Sequence, residues 1–250
     1  MSYNQVWVVI PARLESTRLP RKIFLDLCGD PIIRHVTDRL KKSKKIEKII
    51  IATTFEEEDV EICQWCNEES LEYFRGETEN VLSRYYHCAN TYKATNIVRV
   101  TSDCPLIDPK IIDKTIGLFT KENLDYASNN LKKTFPHGMD VEVFTFKALE
   151  VAYFNATKTI EREHVTQFIR QRPEEFKINN FSSDKNLSDI RVTIDEKEDL
   201  ILIKKIVETL GKEVDCESIA DLFLEFPELK KINENAKKSH NIYNKERKII

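Results

Sequence analysis

The sequence predicts an α/β fold in which a mostly parallel sheet is covered by helices. Three observations lead there. Short apolar, β-branched runs such as Val6-Trp7-Val8-Val9-Ile10 recur and are too short for helices. Between them lie stretches with apolar residues at three- and four-residue spacing, the helical period. The two kinds alternate four times with short connections between residues 6 and 101, the signature of strands joined by helical crossovers.

Composition bounds the reading. A chain of 250 residues suits one large domain or two small ones. Hydrophobic content of 41% with 32% charged residues fits a soluble globular protein, and a formal net charge of -3 offers no bulk attraction for nucleic acid or a membrane surface. Only 5 Gly and 8 Pro argue against disorder across the body. Met1 to Gln5 lack the basic region and apolar core of a signal peptide. No apolar run approaches the roughly 18 residues of a membrane span, so a cytoplasmic location is expected. Of six cysteines, only Cys63-Gln64-Trp65-Cys66 has a suggestive spacing. It falls inside a helical stretch with no second pair or histidine nearby, which points to packed thiols rather than zinc or redox chemistry.

In chain order, the strand Val6–Ile10 is followed by a loop that holds Arg13, Ser16, Thr17, Arg18, Arg21 and Lys22, flanked by Pro11 and Pro20. Pro20 disfavours a helix there. On spacing alone the loop suits either a polyphosphate, bound by cations, hydroxyls and backbone N–H groups, or a solvated basic surface. Pro31 opens a helix to about Lys42, Glu47–Thr53 is the next strand, and an acidic helix spans about 56–69. Leu71–Phe74 is a third strand turned by Arg75-Gly76, 80–92 is helical, and Asn96–Thr101 is a fourth strand. Asp108 caps a helix from Pro109 to about Lys121. After Asn129 the rhythm changes. Residues 140–144 alternate as a half-exposed strand, with Asp140 and Glu142 outward and open to sugar hydroxyls, a metal or solvent. A helix is expected from Ile160 to about Arg172, ended by Pro173. Strands are expected over 176–181 and 190–194, and helices over 198–210 and 217–225. The Lys- and Asn-rich tail from Lys237 reads as frayed.

Right-handed crossovers put the carboxyl ends of parallel strands on one edge, where ligands bind. The basic loop, Arg75-Gly76 and Ser102-Asp103-Cys104 should therefore meet at one crevice. Asp103, just past a buried strand, suits Mg²⁺ beside bound phosphates, or a turn role. Asp195 stands at a strand end in the same way, open to capping the next helix or to binding a metal.

Pro11-Ala12-Arg13, Ser16-Thr17-Arg18-Leu19-Pro20 and Lys22 resemble the signature of the cytidylyltransferases that activate acidic sugars, such as the acylneuraminate and 3-deoxy-octulosonate enzymes. The likeness is closest to the spore-coat polysaccharide branch, and covers about residues 5 to 235. It continues through Ala52-Thr53-Thr54, Arg75-Gly76, Asp103 to Asp108, Gly138 to Phe144, Glu161 to Thr166, and Thr193-Ile194-Asp195 with Glu198-Asp199-Leu200. One departure is that the loop between Val6 and Lys22 has no glycine, which shifts phosphate binding towards side-chain charge. The resemblance implies a three-layer α/β/α, Rossmann-like fold of the nucleotide-diphospho-sugar transferase (GT-A-like) kind. It implies a single domain over 1–236, with a sugar-side and dimerisation subregion at about 130–182 and a tail over 237–250.

It also implies Mg-dependent coupling of CTP to an acidic sugar, giving a CMP-sugar and pyrophosphate for surface polysaccharide or glycoconjugate synthesis. Arg13 and Lys22 are the implied catalytic residues. Pro11, Ala12, Arg13, Leu14, Ser16, Arg18, Lys22, Arg75, Ser102 and Asp103 would bind nucleotide. His137, Asp140, Glu142, Arg162 and His164 would line the acceptor side, and Asp103 and Asp195 would hold Mg²⁺. Arg75 and backbone groups near Leu14 are the candidates for reading the base. A homodimer is implied, with no nucleic-acid or membrane partner. Two alternatives stay open: a GT-A-type glycosyltransferase, although no Asp-x-Asp occurs, and a cytidylyltransferase acting on a sugar phosphate or phosphonate.

Overall fold

The computed structural model describes residues 6–236; the tail read above as frayed lies outside them. The chain runs through β1 (Val6–Pro11), the basic loop, a 3-10 turn (Lys22–Phe24), the hairpin β2 (Asp26–Leu27) and β3 (Asp30–Pro31), and α1 (Ile32–Leu40). Then follow β4 (Lys48–Thr54), α2 (Val60–Glu68), β5 (Glu72–Gly76), α3 (Val81–Tyr92), β6 (Asn96–Arg99), α4 (Pro109–Glu122) and β7 (Tyr126–Ser128). The rest comprises β8 (Glu142–Thr145), α5 (Phe146–Asn155), α6 (Thr159–Glu163), α7 (Gln167–Arg170), β9 (Ile178–Asn180), α8 (Lys197–Leu210) and α9 (Cys216–Glu225).

Seven strands form one sheet in the order β5-β4-β1-β6-β8-β7-β9. The pairs β5–β4, β4–β1, β1–β6 and β7–β9 are parallel, and β8 alone runs against its two neighbours. Helices cover both faces, so the helix-covered sheet expected from the alternation, and the three layers that the resemblance implies, are observed. The two-residue period of the central strands divides the core in two. Val8 and Ile10 of β1, with Ile49 and Ile51 of β4, join one cluster with α1, α2, α4, α8 and α9. Trp7 and Val9, with Ile50 and Ala52, join the other with α3, α5 and α7.

Several local readings are corrected by tertiary context. Arg75 and Gly76 end strand β5, paired with Thr53 and Thr54, rather than turning the chain. The segment expected as a half-exposed strand is shorter and interior: β8 lies between β6 and β7, so Glu142 is only 2% exposed. Helix α5, missed by the periodicity, is started by the Thr145 hydroxyl, which accepts the Ala148 N–H at 3.0 Å. The helix expected over 160–172 is broken into α6 and α7. His164 leaves the helical path and Val165 takes a left-handed φ of +48°, a costly conformation for a β-branched residue.

Residues 190–195 form an extended strap rather than a sheet strand. Its only ladder contact among the described residues is a parallel bridge between Arg191 and His137. The strap is stitched to two loops. His137 N–H donates to the Ile190 carbonyl at 2.9 Å and Val192 N–H to the His137 carbonyl at 2.7 Å, while Ile194 N–H donates to the Asp103 carbonyl at 2.9 Å. Gly138 makes this approach possible, with φ +107° and the Thr193 nitrogen only 2.6 Å from where a Cβ would stand. Gly138→Ala should therefore cost about 2–4 kcal/mol of stability. Urea unfolding checks this; a loss below about 0.5 kcal/mol would show that the loop can move off the strap without strain.

Candidate active site

The basic loop leaves the carboxyl end of β1 and is held by main-chain bonds that the sequence reading did not anticipate. Ala12 N–H donates to the Ala52 carbonyl at 3.1 Å, extending the β1–β4 ladder past Pro11. Leu14 N–H donates to the buried Asp59 carboxylate at 2.8 Å, and the Leu14 carbonyl accepts the Arg21 N–H at 3.1 Å. Asp59 also accepts the Thr54 hydroxyl, so this buried carboxylate at the start of α2 pins the loop to the β4 end. Arg13 is left exposed, with no hydrogen bond or ion pair among the described residues, and Ser16 is half-buried. Leu14 N–H is thereby committed to protein rather than to a base. Arg75 is committed too: it donates to the Thr54 and Glu56 carbonyls at 2.8 and 2.9 Å and ties the β4 and β5 ends together.

At the centre, Lys22 brings the two candidate metal carboxylates together. Its Nζ lies 2.7 Å from Asp103 Oδ2 and 3.0 Å from Asp195 Oδ1. Neither aspartate is spent on a helix cap. Asp108 caps α4 through the Lys110 N–H at 2.7 Å. At α8 the Asp199 carboxylate takes the Asp195 and Glu196 N–H groups at 2.9 and 3.1 Å. Burial works against the charge of Lys22, but Asp103 and then Asp195 more than offset it, and the ammonium is pushed up to about 12. Burial likewise opposes ionisation of Asp103, and Lys22 with the Thr101 hydroxyl holds its carboxyl well below the usual range. Arg18 reaches Asp195 Oδ1 at 2.9 Å. Ser102 is buried beside Asp103.

A buried arginine anchors this cluster from behind. Arg191 meets Asp199 with Nε and Nη2, each at 2.9 Å, and its Nη2 also reaches Asp195 Oδ2 at 2.9 Å. Its Nη1 lies 2.9 Å from His137 Nδ1. A guanidinium can only donate, so His137 Nδ1 is an acceptor and the neutral ring carries its proton on Nε2. The sequence signal for Arg191 is its place in an extended run, since residues 191, 193 and 195 share a side at the two-residue period.

From Asp103 and Asp195 a cleft of about 510 Å³ extends along the sheet edge, lined at its far side by Arg99, Lys133, His137, Asp140, His164, Gln167 and Arg170. Glu142 lines it as well, yet its oxygens are taken by protein donors. Arg99 reaches Oε2, and the Tyr126 and Thr166 hydroxyls reach Oε1 at 2.6 Å. Glu142 thus orients the cations around it, where the sequence reading had it outward. Arg162 points to the Ala156 carbonyl, 3.4 Å away, and is not among the residues lining this cleft. The break at Val165 turns His164 and Thr166 into the cleft, an outcome of tertiary packing that helical spacing cannot show.

Among the described residues no group of three or more His, Cys, Asp or Glu side chains is arranged to hold a metal ion. The Asp103–Asp195 pair nevertheless fits Mg²⁺, which binds through one or two carboxylates and completes its shell with phosphate oxygens and water. The observation behind that fit is the ammonium of Lys22, a cation already within 3.0 Å of both carboxylates.

A mostly parallel sheet with a basic loop after its first central strand and paired carboxylates at the same edge defines a nucleotidyltransferase-type α/β protein. The cytidylyltransferase family model matches residues 7–249, and the chain belongs to that family. It is similar to an uncharacterised protein of Methanocaldococcus jannaschii, with 38% identity over 92% of this chain and 94% of that one. It is also similar to the spore coat polysaccharide biosynthesis protein SpsF of Bacillus subtilis, with 29% identity over 85% of this chain and 90% of that one. Among solved structures, a cytidylyltransferase from Leptospira borgpetersenii superposes with a TM-score of 0.86 at 33% identity, covering 90% of this chain and 96% of that one.

The Glu142 cluster yields a pH prediction. Burial raises the Glu142 carboxyl, but Arg99 foremost, then Arg170 and the two hydroxyls, bring it below its ordinary value. A depressed folded-state pKa stabilises fully above the unfolded value of about 4.3, and that contribution is lost as pH falls through the folded value. Glu142→Gln should cost about 3 kcal/mol at pH 7, because Arg99 is left buried without its partner. The gap to wild type should narrow as pH falls below about 4.3 in urea unfolding; a gap independent of pH would contradict the ionised pair.

Proposed function

We propose that this nucleotidyltransferase couples CTP to an acidic sugar in a Mg²⁺-dependent reaction. The carrying observation is the division of one sheet-edge cleft between a phosphate-type end and a cationic acceptor end. At the first end Arg18 lines the cleft and meets Lys22 at the carboxylate pair, with Arg13 exposed on the same basic loop. At the second, the three cations Arg99, Arg170 and Lys133 face the cleft beside two carboxylates, Asp140 and a Glu142 paired with Arg99 and reached by Arg170 at 3.8 Å. Cations in excess of the local carboxylates suit an acceptor that brings its own negative charge.

In this reading the acceptor hydroxyl attacks the α-phosphorus of CTP. An O–P bond forms, the bond to the β-phosphate oxygen breaks, and pyrophosphate leaves. Positioning and charge neutralisation carry the rate. Arg13, Arg18 and Lys22 bind the triphosphate and stabilise the departing pyrophosphate. Asp103 and Asp195 would hold Mg²⁺, which when bound neutralises phosphate charge and lowers the pKa of the attacking hydroxyl. His137 presents its Nε2–H to the acceptor side, 3.9 Å from Asp140, with His164 across the cleft. The family assignment weighs against the glycosyltransferase alternative. A phosphorylated or phosphonate acceptor is the second reading, since the same cations suit a second anion of that kind. The resemblance to the acidic-sugar enzymes further supports a cytoplasmic homodimer. No described helix is long and apolar enough to cross a membrane.

Pyrophosphate release with CTP, Mg²⁺ and a panel of acidic sugars and phosphorylated acceptors tests this, with ATP, GTP and UTP as controls. Release should require CTP and one acceptor class. Lys22→Ala should lower kcat by about 10²-fold or more while the protein stays folded. Arg170→Ala should raise KM for the acceptor about tenfold, leaving KM for CTP unchanged. Equal release with every nucleotide, or near-normal turnover by Lys22→Ala, would sink the reading.

A further inference from the structure

The two carboxylates at the centre of the cleft share one cation, and each is held in the same two-sided way. On Asp103, Oδ1 accepts the Thr101 hydroxyl at 2.6 Å, while Oδ2 faces Lys22 at 2.7 Å. On Asp195, Oδ2 accepts from Arg191 at 2.9 Å, while Oδ1 faces Lys22 at 3.0 Å. One oxygen of each carboxylate is thus fixed by the scaffold and the other is turned to the ammonium. The third N–H of Lys22 goes to the Ile194 carbonyl at 3.2 Å. All three donors of the ammonium are committed to this nest. None remains for a phosphate, although the triphosphate reading asks Lys22 to bind one.

We propose that Lys22 is a positioning residue for the carboxylate pair, a resident counter-ion that aligns Asp103 and Asp195 and excludes a divalent cation until phosphate oxygens draw it away. This rests on the triphosphate reading above. Two partly buried carboxylates without a counter-ion repel, and would splay apart or take up a proton. With Lys22 between them they stay ionised and aligned. An ammonium and a dication cannot share the same oxygens, so the cation site opens only when Lys22 leaves. When it does, the contacts from Thr101 and Arg191 keep both carboxylates in place, and Arg18, which also lies on Asp195 Oδ1 at 2.9 Å, turns to the phosphate with it. Nucleotide and cation binding are then positively coupled through one side chain, and by linkage the coupling is reciprocal.

Mn²⁺ titration of the nucleotide-free protein, read by the electron paramagnetic resonance of free Mn²⁺, tests the proposal without turnover. Lys22→Met should bind Mn²⁺ at least about tenfold more tightly than wild type, a difference of about 1.4 kcal/mol. Lys22→Arg should stay at the wild-type level, and Lys22→Met combined with Asp103→Asn should return to it. Thermal melts confirm the fold of each variant, and Lys22→Gln, which preserves hydrogen-bonding capacity without charge, replaces the methionine variant if that one fails to fold. Wild type carries its own arm: metal-free CTP in EDTA should shift the Lys22 ammonium resonance. Equal Mn²⁺ affinity in wild type and in the neutral variants, or a Lys22 resonance that CTP leaves unmoved, overturns the proposal. Pyrophosphate release is scored separately. Release without the gain in Mn²⁺ affinity overturns only the positioning role; the gain without release from any acceptor overturns only the activity.

Discussion

Two aspartates from segments about ninety residues apart sit on one lysine, and much of the architecture serves that meeting. Like charges at this separation, largely out of solvent, repel strongly unless cations lie between and beside them. Lys22 lies between, Arg18 and Arg191 lie beside Asp195, and Thr101 supports Asp103. The backbone enforces the approach independently of charge: the Asp103 carbonyl accepts both the Ile194 N–H at 2.9 Å and the Thr193 hydroxyl at 3.1 Å. The strap and the β6 loop therefore cannot separate without losing buried hydrogen bonds, which are costly to leave unmade.

Behind this centre lies a shell of fully buried ionic contacts. Arg191 and Asp199 form a two-pronged pair, and Asn233 donates to both Asp199 and the Arg191 carbonyl. Such pairs add little net stability over apolar packing, but they specify geometry. Here the geometry reaches the cleft on two sides, at Asp195 and at His137. The acceptor side repeats the device with Glu142, whose oxygens gather Arg99, Tyr126 and Thr166 from three different elements. On the phosphate side Asp59 plays the same part for the main chain of a loop that has no glycine to shape it. In each case a buried carboxylate ties together segments from different elements.

The order of strands explains why these groups share one edge. All strands of the seven-stranded sheet but β8 run in the same direction, so the loops after β1, β4, β5 and β6 emerge together. The reversed strand β8 carries Glu142 into the interior of the sheet beside β6, where it pairs with Arg99 across the antiparallel register. The cleft floor is thus ionic at a depth where a parallel sheet would ordinarily place apolar residues.

The sequence by itself determined the fold class and most of the first half of the chain. Strands β1, β4 and β6 are apolar, β-branched and short, and the helices between them carry a periodic apolar face. Those signals are local, and burial on both faces of a parallel sheet makes them strong. It also determined which residues stand at strand ends, and so brought the basic loop and Asp103 to one edge. Only the tertiary structure decided the roles of the rest. The break at Val165 opposes a helical pattern that local propensity favours, because packing over the cleft outweighs it. Glu142 looked exposed because alternation cannot tell an edge strand from an interior one. The strap at 190–195 has strand-like residues but bonds to loops, and pairing partners are not written in a segment's own sequence. The buried, bonded roles of Arg191, Asp199 and Asp59 were not legible for the same reason: a charged residue reads as surface until the fold supplies the buried partner that makes its burial possible.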